Sequence, residues 1–388
     1  MAEPKKINQL KVEAMVTNLP LPEVDPDGLL EYSVVFTDRS LNHMSAKFRT
    51  AMQELLEILR NTYNAHAAAV VPGGGSYAME AVARQFATGK KALVIRNGQF
   101  SYRWSQIFDA GNIPSTHDVI KAIHKGNRQF SPAPIDDVVA RIEETKPDVV
   151  FAPHVETAAG IQLADDYIKA VGEAVHAAGG LFVLDCVASG AMWVDMEALG
   201  VDVLISAPQK GWSGSPASGY VMVSEAAREA VETAASSSFA LDLKKWFGIA
   251  DAYVAGNHGY HATMPTDTIV HNLSLMKRAV DTGLGDLRER QIELGAKVRA
   301  ALADRGFVSV AAPGDEAPSV VVVNSERGDM VPAMAQAGVQ IAGGVPLMVD
   351  EPQDFQTFRI GLFGLDKLAD IDGTVQRFTK ALDEVLAQ

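Results

Sequence analysis

Cysteine is almost absent from this 388-residue chain. Cys186 stands alone, which excludes an intramolecular disulfide and fits a reducing compartment. No uninterrupted apolar run reaches the roughly 20 residues that span a bilayer. The N-terminal MAEPKKINQLKVEAMV lacks the apolar segment of a secretory signal. A basic excess is missing too: 34 Lys and Arg stand against 48 Asp and Glu, a formal net charge of −14. The chain therefore lacks the electrostatic footprint of a nucleic-acid binder, and the short basic run KAIHKGNR (121–128) reads as a solvated loop. Repeats and low-complexity tracts are also lacking. The expectation is a soluble, cytoplasmic protein with neither nucleic acid nor membrane as a partner.

What is there is ordinary globular composition, 47% hydrophobic and 21% charged, enough to bury a large core. Residues 1–35 are Pro-rich and weakly periodic and read as an N-terminal arm. FRTAMQELLEILRN (48–61) carries apolar residues at helical spacing. Short apolar runs then alternate with helical ones. AAAVVP, KALVIRNG, PDVVFAPH, GLFVLDCV, VDVLISAPQK and ASGYVMVS read as strands. SYAMEAVARQFA, PIDDVVARIEETK and DDYIKAVGEAVHAAG read as helices. All-apolar strands between helices imply an α/β fold with a mostly parallel sheet covered on both faces. Ligands of such sheets bind at the strand C-termini. After about Thr268 the texture changes to one long or two consecutive helices, then strand, helix, strand, helix. The expected division is a large domain over 36–270 and a smaller α+β domain over 271–388.

Three motifs carry chemistry. In VPGGGSYAMEA, glycines between a strand and a helix let backbone N–H groups approach a phosphate at a helix N-terminus. Gly73, Gly75 and Ala78 satisfy G-x-G-x-x-A, but the acid that a dinucleotide site needs about 20 residues on is missing; the next strand ends in Arg96 and Asn97. A monophosphate site at Gly74, Gly75, Ser76 and Tyr77 is the better reading, and a ligand-free turn is the bland one. Asp185 ends a strongly apolar strand, where a carboxylate is costly unless paired. It either caps a turn or accepts a hydrogen bond from a cationic ligand nitrogen. Lys210, in SAPQKGW, follows Asp185 by 25 residues, room for one crossover and one strand, so both belong at one sheet edge. A phosphate cradle, a buried acid and an amine together match pyridoxal 5′-phosphate, with the lysine forming the Schiff base and the acid facing the pyridine nitrogen.

The segments GGGSYAMEA, NGQF, HVETAAG, LDCVASG, SAPQKGW, GYHATMP and FRIGLFG occur in an order that resembles the class V pyridoxal-phosphate-dependent aminotransferases, closest to the alanine/serine–glyoxylate branch. The resemblance implies a fold-type I large domain with a seven-stranded sheet, a small C-terminal domain, and a homodimer with shared active sites. It implies stacking of Phe100 on the cofactor ring, where that branch carries tryptophan, and packing of Val187 on the opposite face. Thr157 then sits near the phenolic oxygen, although Ala158 replaces a common hydroxyl residue. Ser206 and Gln209 contact phosphate or ring, and Tyr260 and Thr263 reach the phosphate from the partner subunit. The implied activity is transfer of an amino group from alanine, serine or a similar small amino acid to a 2-oxo acid such as glyoxylate or pyruvate, ping-pong through a pyridoxamine form. GSYAMEA also resembles 2-aminoethylphosphonate–pyruvate transaminases, which leaves that reaction, or lyase chemistry of the same fold, as the alternative. A desulfurase would need a cysteine on a mobile loop, and Cys186 is expected on a strand.

Arg359 is a guanidinium inside an apolar strand and needs a carboxylate, either a substrate's or an internal one. His258 and His261 have H-x-x-H spacing without further ligands nearby, so no metal is expected. The family's Pro-Gly-Pro-like segment is replaced by VVFTDRSLNHMS, which makes Arg39 and His43 candidates for a different side-chain pocket, one suited to an acidic donor.

Overall fold

The computed structural model describes residues 21–387 apart from residue 23. Most of the expected N-terminal arm lies outside the described residues. The centre is a seven-stranded sheet. Its strands are β1 (Ala67–Pro72), β2 (Lys91–Arg96), β3 (Thr116–Lys121), β4 (Val149–Pro153), β5 (Leu181–Asp185), β6 (Val203–Ser206) and β7 (Ser218–Val223), in the spatial order β1-β7-β6-β5-β4-β2-β3. β3, β2, β4, β5 and β6 are parallel, and β7 is antiparallel to both its neighbours. Since β1 is antiparallel to β7, it runs with the parallel set. The C-terminal ends of β1, β2, β4, β5 and β6 therefore open on one edge.

β4, β5, β6 and β7 are buried along nearly their whole length, which is why they read as uninterrupted apolar runs. β3 is different. Its THDVIK is exposed or half-buried at the sheet's edge, so the sequence carries no apolar run there. KAIHKGNR, expected as a loop, instead closes β3 and enters a hairpin of Ile123–Gly126 with Gln129–Ser131. Asn127 and Arg128 both take positive φ at its turn, 46° and 57°, the conformation that tight hairpins demand.

Helices cover both faces. α1 (Ala46–Tyr63) is capped by Ser45, whose Oγ accepts the Phe48 N–H at 3.1 Å, and buries Phe48, Met52, Leu55, Leu56 and Leu59. α2 (Gly75–Phe86) follows β1, and α3 (Gln99–Gly111) follows β2. α3 goes beyond the sequence reading, as do helices Glu225–Thr233 and Leu243–Val254. Its buried stripe is Ser101, Trp104, Ser105 and Phe108, half of it serine, so the hydrophobic period is faint. Trp104 and Phe108 anchor the helix on Phe151 of β4, with ring centroids 4.5 and 5.2 Å apart.

The C-terminal part begins with two consecutive helices, Thr266–Thr282 and Leu284–Ala303, broken at Gly283 with φ 96°. The expected division at 270/271 falls inside the first of them. A three-stranded antiparallel sheet follows, of β8 (Val320–Asn324), β9 (Ala342–Gly343) and β10 (Thr357–Gly361), with β10 in the middle. One buried apolar cluster runs from Leu41 to Val385, so the change of architecture is not a gap in the core. Among the described residues no helix is long and apolar enough to cross a membrane.

Phe151 is fully buried beneath α3. Phe151→Ala is expected to cost about 3–5 kcal/mol and Phe151→Leu under about 1.5 kcal/mol, read from urea-unfolding midpoints. A loss below about 1 kcal/mol for the alanine variant would show that the aromatic cluster does not fix α3 to the sheet.

Candidate active site

At the shared strand edge a cavity of about 180 Å³ is lined by Gly75, Ser76, Phe100, Thr157, Asp185, Val187, Gln209 and Lys210, together with Met79, Arg103, Val155 and Ala188. Eight residues singled out from the sequence are thus brought to one place by five different strand ends. Gly73 takes φ 121°, a left-handed value suited to glycine, and a Cβ there would lie 2.4 Å from the Tyr77 ring. Gly75 begins α2 and brings its backbone so close to the far wall that a Cβ would sit 3.0 Å from Val187 Cγ2. The free N–H groups of that first turn make an anion site.

Asp185 is buried, with Oδ1 accepting the Val187 N–H at 2.9 Å. Burial pushes its carboxyl up to about 6 despite that hydrogen bond. Such a carboxylate gains from a cationic hydrogen-bond donor. Lys210 is half-buried, its Nζ 4.8 Å from the centroid of the Phe363 ring. Burial, reinforced by the Arg359 charge, holds its ammonium below the ordinary lysine value. Acid, amine, apolar ring wall and phosphate-binding turn are the parts that pyridoxal phosphate needs, and the residues fit that group: Gly75 and Ser76 for the phosphate, Phe100 and Val187 for the ring faces, Asp185 for the ring nitrogen and Lys210 for the aldehyde.

Arg359 lies on β10, between Val322 of β8 and Ala342 of β9. Its Nε donates to the Gly343 carbonyl at 2.8 Å and its Cζ lies 5.6 Å from the Phe100 ring centroid. Among the described residues no carboxylate is within ion-pair distance, so the internal salt bridge weighed from the sequence does not form. Ser206 is buried below the site, and its Oγ accepts the Tyr63 hydroxyl at 3.1 Å. Gly74 caps α2, and Tyr77 is exposed beside Gly73. Arg39, His43, Tyr260 and Thr263 do not line the Lys210 cavity of their own chain. Arg39 is exposed, while His43 packs 5.5 Å from Tyr260, whose hydroxyl bonds Thr263 Oγ1 at 3.1 Å. His261 bonds the Phe239 carbonyl and His258 faces His43. Among the described residues no cluster of three or more His, Cys, Asp or Glu could hold a metal.

Sequence reasoning missed two residues here. Glu156 is fully buried, and its carboxylate accepts from the N–H of Phe100 (3.1 Å), Ser101 (2.9 Å) and Ala158 (3.0 Å) and from Ser101 Oγ (2.7 Å). It fixes the start of α3 and so the Phe100 ring. An acid just past an apolar strand is the signal that singled out Asp185, and it was equally present in HVETAAG. Arg103 follows Phe100 by three positions, on the same helical face, and only the assignment of α3 reveals that.

The chain matches the family model described as Aminotransferase class-V over residues 29–370. It is 27% identical to the small subunit of a soluble hydrogenase from Synechococcus sp., over 95% of this chain and 92% of that protein. It is 27% identical to a 2-aminoethylphosphonate–pyruvate transaminase from Paraburkholderia phymatum, over 84% of each. The crystal structure of an alanine–glyoxylate aminotransferase from Nostoc sp. superposes with a TM-score of 0.76 at 22% identity, covering 89% of this chain and 88% of that one.

Asp185 binds its proton more tightly in the native state than in the unfolded chain, where the carboxyl titrates near 3.8. Stability is therefore lost as pH rises from about 4 to about 6, and the cost is complete above that window. In cofactor-free protein, Asp185→Asn is expected to add about 2–3 kcal/mol at pH 8 and almost nothing at pH 4. Denaturant unfolding at the two pH values checks this; an equal difference at both would overturn it.

Proposed function

Because the chain belongs to the class V aminotransferases, we propose that it binds pyridoxal phosphate at Lys210 and moves an amino group from a small amino acid, alanine or serine, to a small 2-oxo acid such as glyoxylate or pyruvate. The observation that carries this reading is the convergence of Lys210, Asp185, the first turn of α2 and Phe100 on one cavity, with Arg359 beside it. When bound, the cofactor supplies the electron sink for the carbon that loses its proton. The protein's residues do the rest. Arg359 offers an unpaired planar guanidinium to the substrate carboxylate and so orients the α-carbon. Lys210 Nζ, held below its ordinary value by burial, would serve as the general base for the α-proton. Asp185 would hold the ring nitrogen and favour its protonated form, which makes the ring a better electron sink.

Cys186 is buried directly after β5, and burial pushes its thiol well above the usual range. That supports transamination over sulfur transfer. A homodimer with shared sites is part of the same reading: Tyr260 and Thr263 would complete the phosphate site of the partner, and Arg39 and His43 would then stand near a substrate side chain.

The test is a product screen on the holoenzyme, with alanine, serine and 2-aminoethylphosphonate as donors and glyoxylate and pyruvate as acceptors. Glycine formed from glyoxylate with alanine or serine is the expected result; turnover with 2-aminoethylphosphonate alone would move the assignment to a phosphonate amine. Borohydride reduction should fix the cofactor to Lys210 by mass spectrometry, and its absence there would overturn the cofactor assignment. Arg359→Ala should raise KM for the amino acid about 10–100-fold, with Arg359→Lys only partly restoring it.

A further inference from the structure

We propose that Arg103 is the charged residue that holds the cofactor's phosphate group. The assignment rests on the reading of the cavity as a pyridoxal-phosphate site. Arg103 lines that cavity. Its Nη1 donates to Ser76 Oγ at 3.0 Å, and Ser76 stands in the first turn of α2, the anion-binding turn. Its Cζ lies 5.0 Å from the Phe100 ring centroid, so the guanidinium is held between the phosphate turn and the ring wall.

The charge pattern points the same way. This chain has an acid surplus of 48 to 34. Arg84, Arg141, Arg228, Arg305 and Arg327 each hold a carboxylate. Among the described residues no carboxylate lies within ion-pair distance of Arg103. It shares that lack with Arg49, Arg60, Arg96 and Arg299 but is set apart from them by lining the cavity. A phosphate monoester carries about −1.5 to −2 charges at neutral pH, and a helix N-terminus offers roughly half a positive charge. Backbone N–H groups alone leave most of that anion unmatched, whereas a guanidinium oriented by Ser76 supplies both the missing charge and directed donors. Arg359 is unsuited to this task, since it does not line the cavity and its Nε is bound to the Gly343 carbonyl.

The experiment compares reconstitution of cofactor-free wild type, Arg103→Ala, Arg103→Gln and Arg103→Lys with pyridoxal phosphate and with pyridoxal, which lacks the phosphate. Affinities come from the visible absorption of the bound form, and circular dichroism checks folding. Removing the guanidinium should weaken pyridoxal phosphate binding about 10–100-fold and leave pyridoxal within about threefold. Inorganic phosphate should compete with reconstitution of the wild type and of Arg103→Lys, and much less with Arg103→Gln. If Arg103→Gln, which keeps a donor for Ser76, binds pyridoxal phosphate like the wild type, Arg103 is only a prop for the turn and the proposal falls. An equal loss for pyridoxal overturns it as well. If the wild type binds neither compound, the proposed function itself fails, and this assignment with it.

Discussion

A carboxylate held out of water at the end of a central strand is the constraint around which this molecule is organised. Asp185 closes β5 between Pro153 of β4 and Ile205 of β6 and is buried there beside Val187 and Ala188. Burial drives its carboxyl toward neutrality and outweighs the Val187 N–H and the charges of Arg103 and Lys210, which favour its ionised form. The environment becomes favourable only when a cationic donor stands opposite. The same burial, acting on the amine 25 residues later, weakens the ammonium of Lys210. One desolvated edge therefore prepares an acid that favours a protonated ring and an amine ready to act as a base.

The two buried acids at this edge make an instructive contrast. Glu156 receives three backbone N–H groups and one hydroxyl from its own chain. Its hydrogen-bonding capacity is largely used, and what it accomplishes is positional: it ties α3 to the end of β4. Asp185 receives a single backbone N–H. The difference in internal satisfaction, more than burial itself, separates a structural acid from one kept for a ligand.

Much of this was legible in the sequence, for physical reasons. β4 to β7 are buried on both faces, so they leave uninterrupted apolar runs, and the functional residues sit at the junctions where those runs stop. Gly73 and Gly75 announce the phosphate turn because backbone geometry and close approach exclude larger residues there. What stayed hidden is what lacks such a contrast. β3 is a polar edge strand, and the hairpin after it depends on two positive-φ residues, Asn127 and Arg128, in a run that reads as mere charge. α3 hides its period by burying two serines. Without α3, neither Arg103 nor the link from Glu156 to Phe100 could be seen. Tyr260 and Thr263 were singled out by resemblance and Arg39 and His43 by a departure from it; in the single chain none of them lines the Lys210 cavity, and one sequence gives no means of placing a second copy.

Charge balance narrows what the cavity can accept. Lys210 and Arg103 line it with Asp185, and Arg359 stands beside it. The buried Glu156 acts on both Asp185 and Arg359, though neither guanidinium has a carboxylate within ion-pair distance among the described residues. With the proposed cofactor bound, its phosphate would draw on Arg103 and the α2 N-terminus, and its protonated ring nitrogen on Asp185. Arg359, which makes no ion pair among the described residues although it feels the field of Glu156, would then be free to take one carboxylate. On the proposed reading, the field supplied by one chain would suit an amino acid with one acid group and a compact, uncharged side chain, beside the apolar Phe100 and Phe363. A donor with a second acid group would leave a desolvated negative charge without a partner, unless a cation such as Arg39 entered from another copy. The choice between a neutral and an acidic donor is therefore a question of which positive charge stands opposite Arg359.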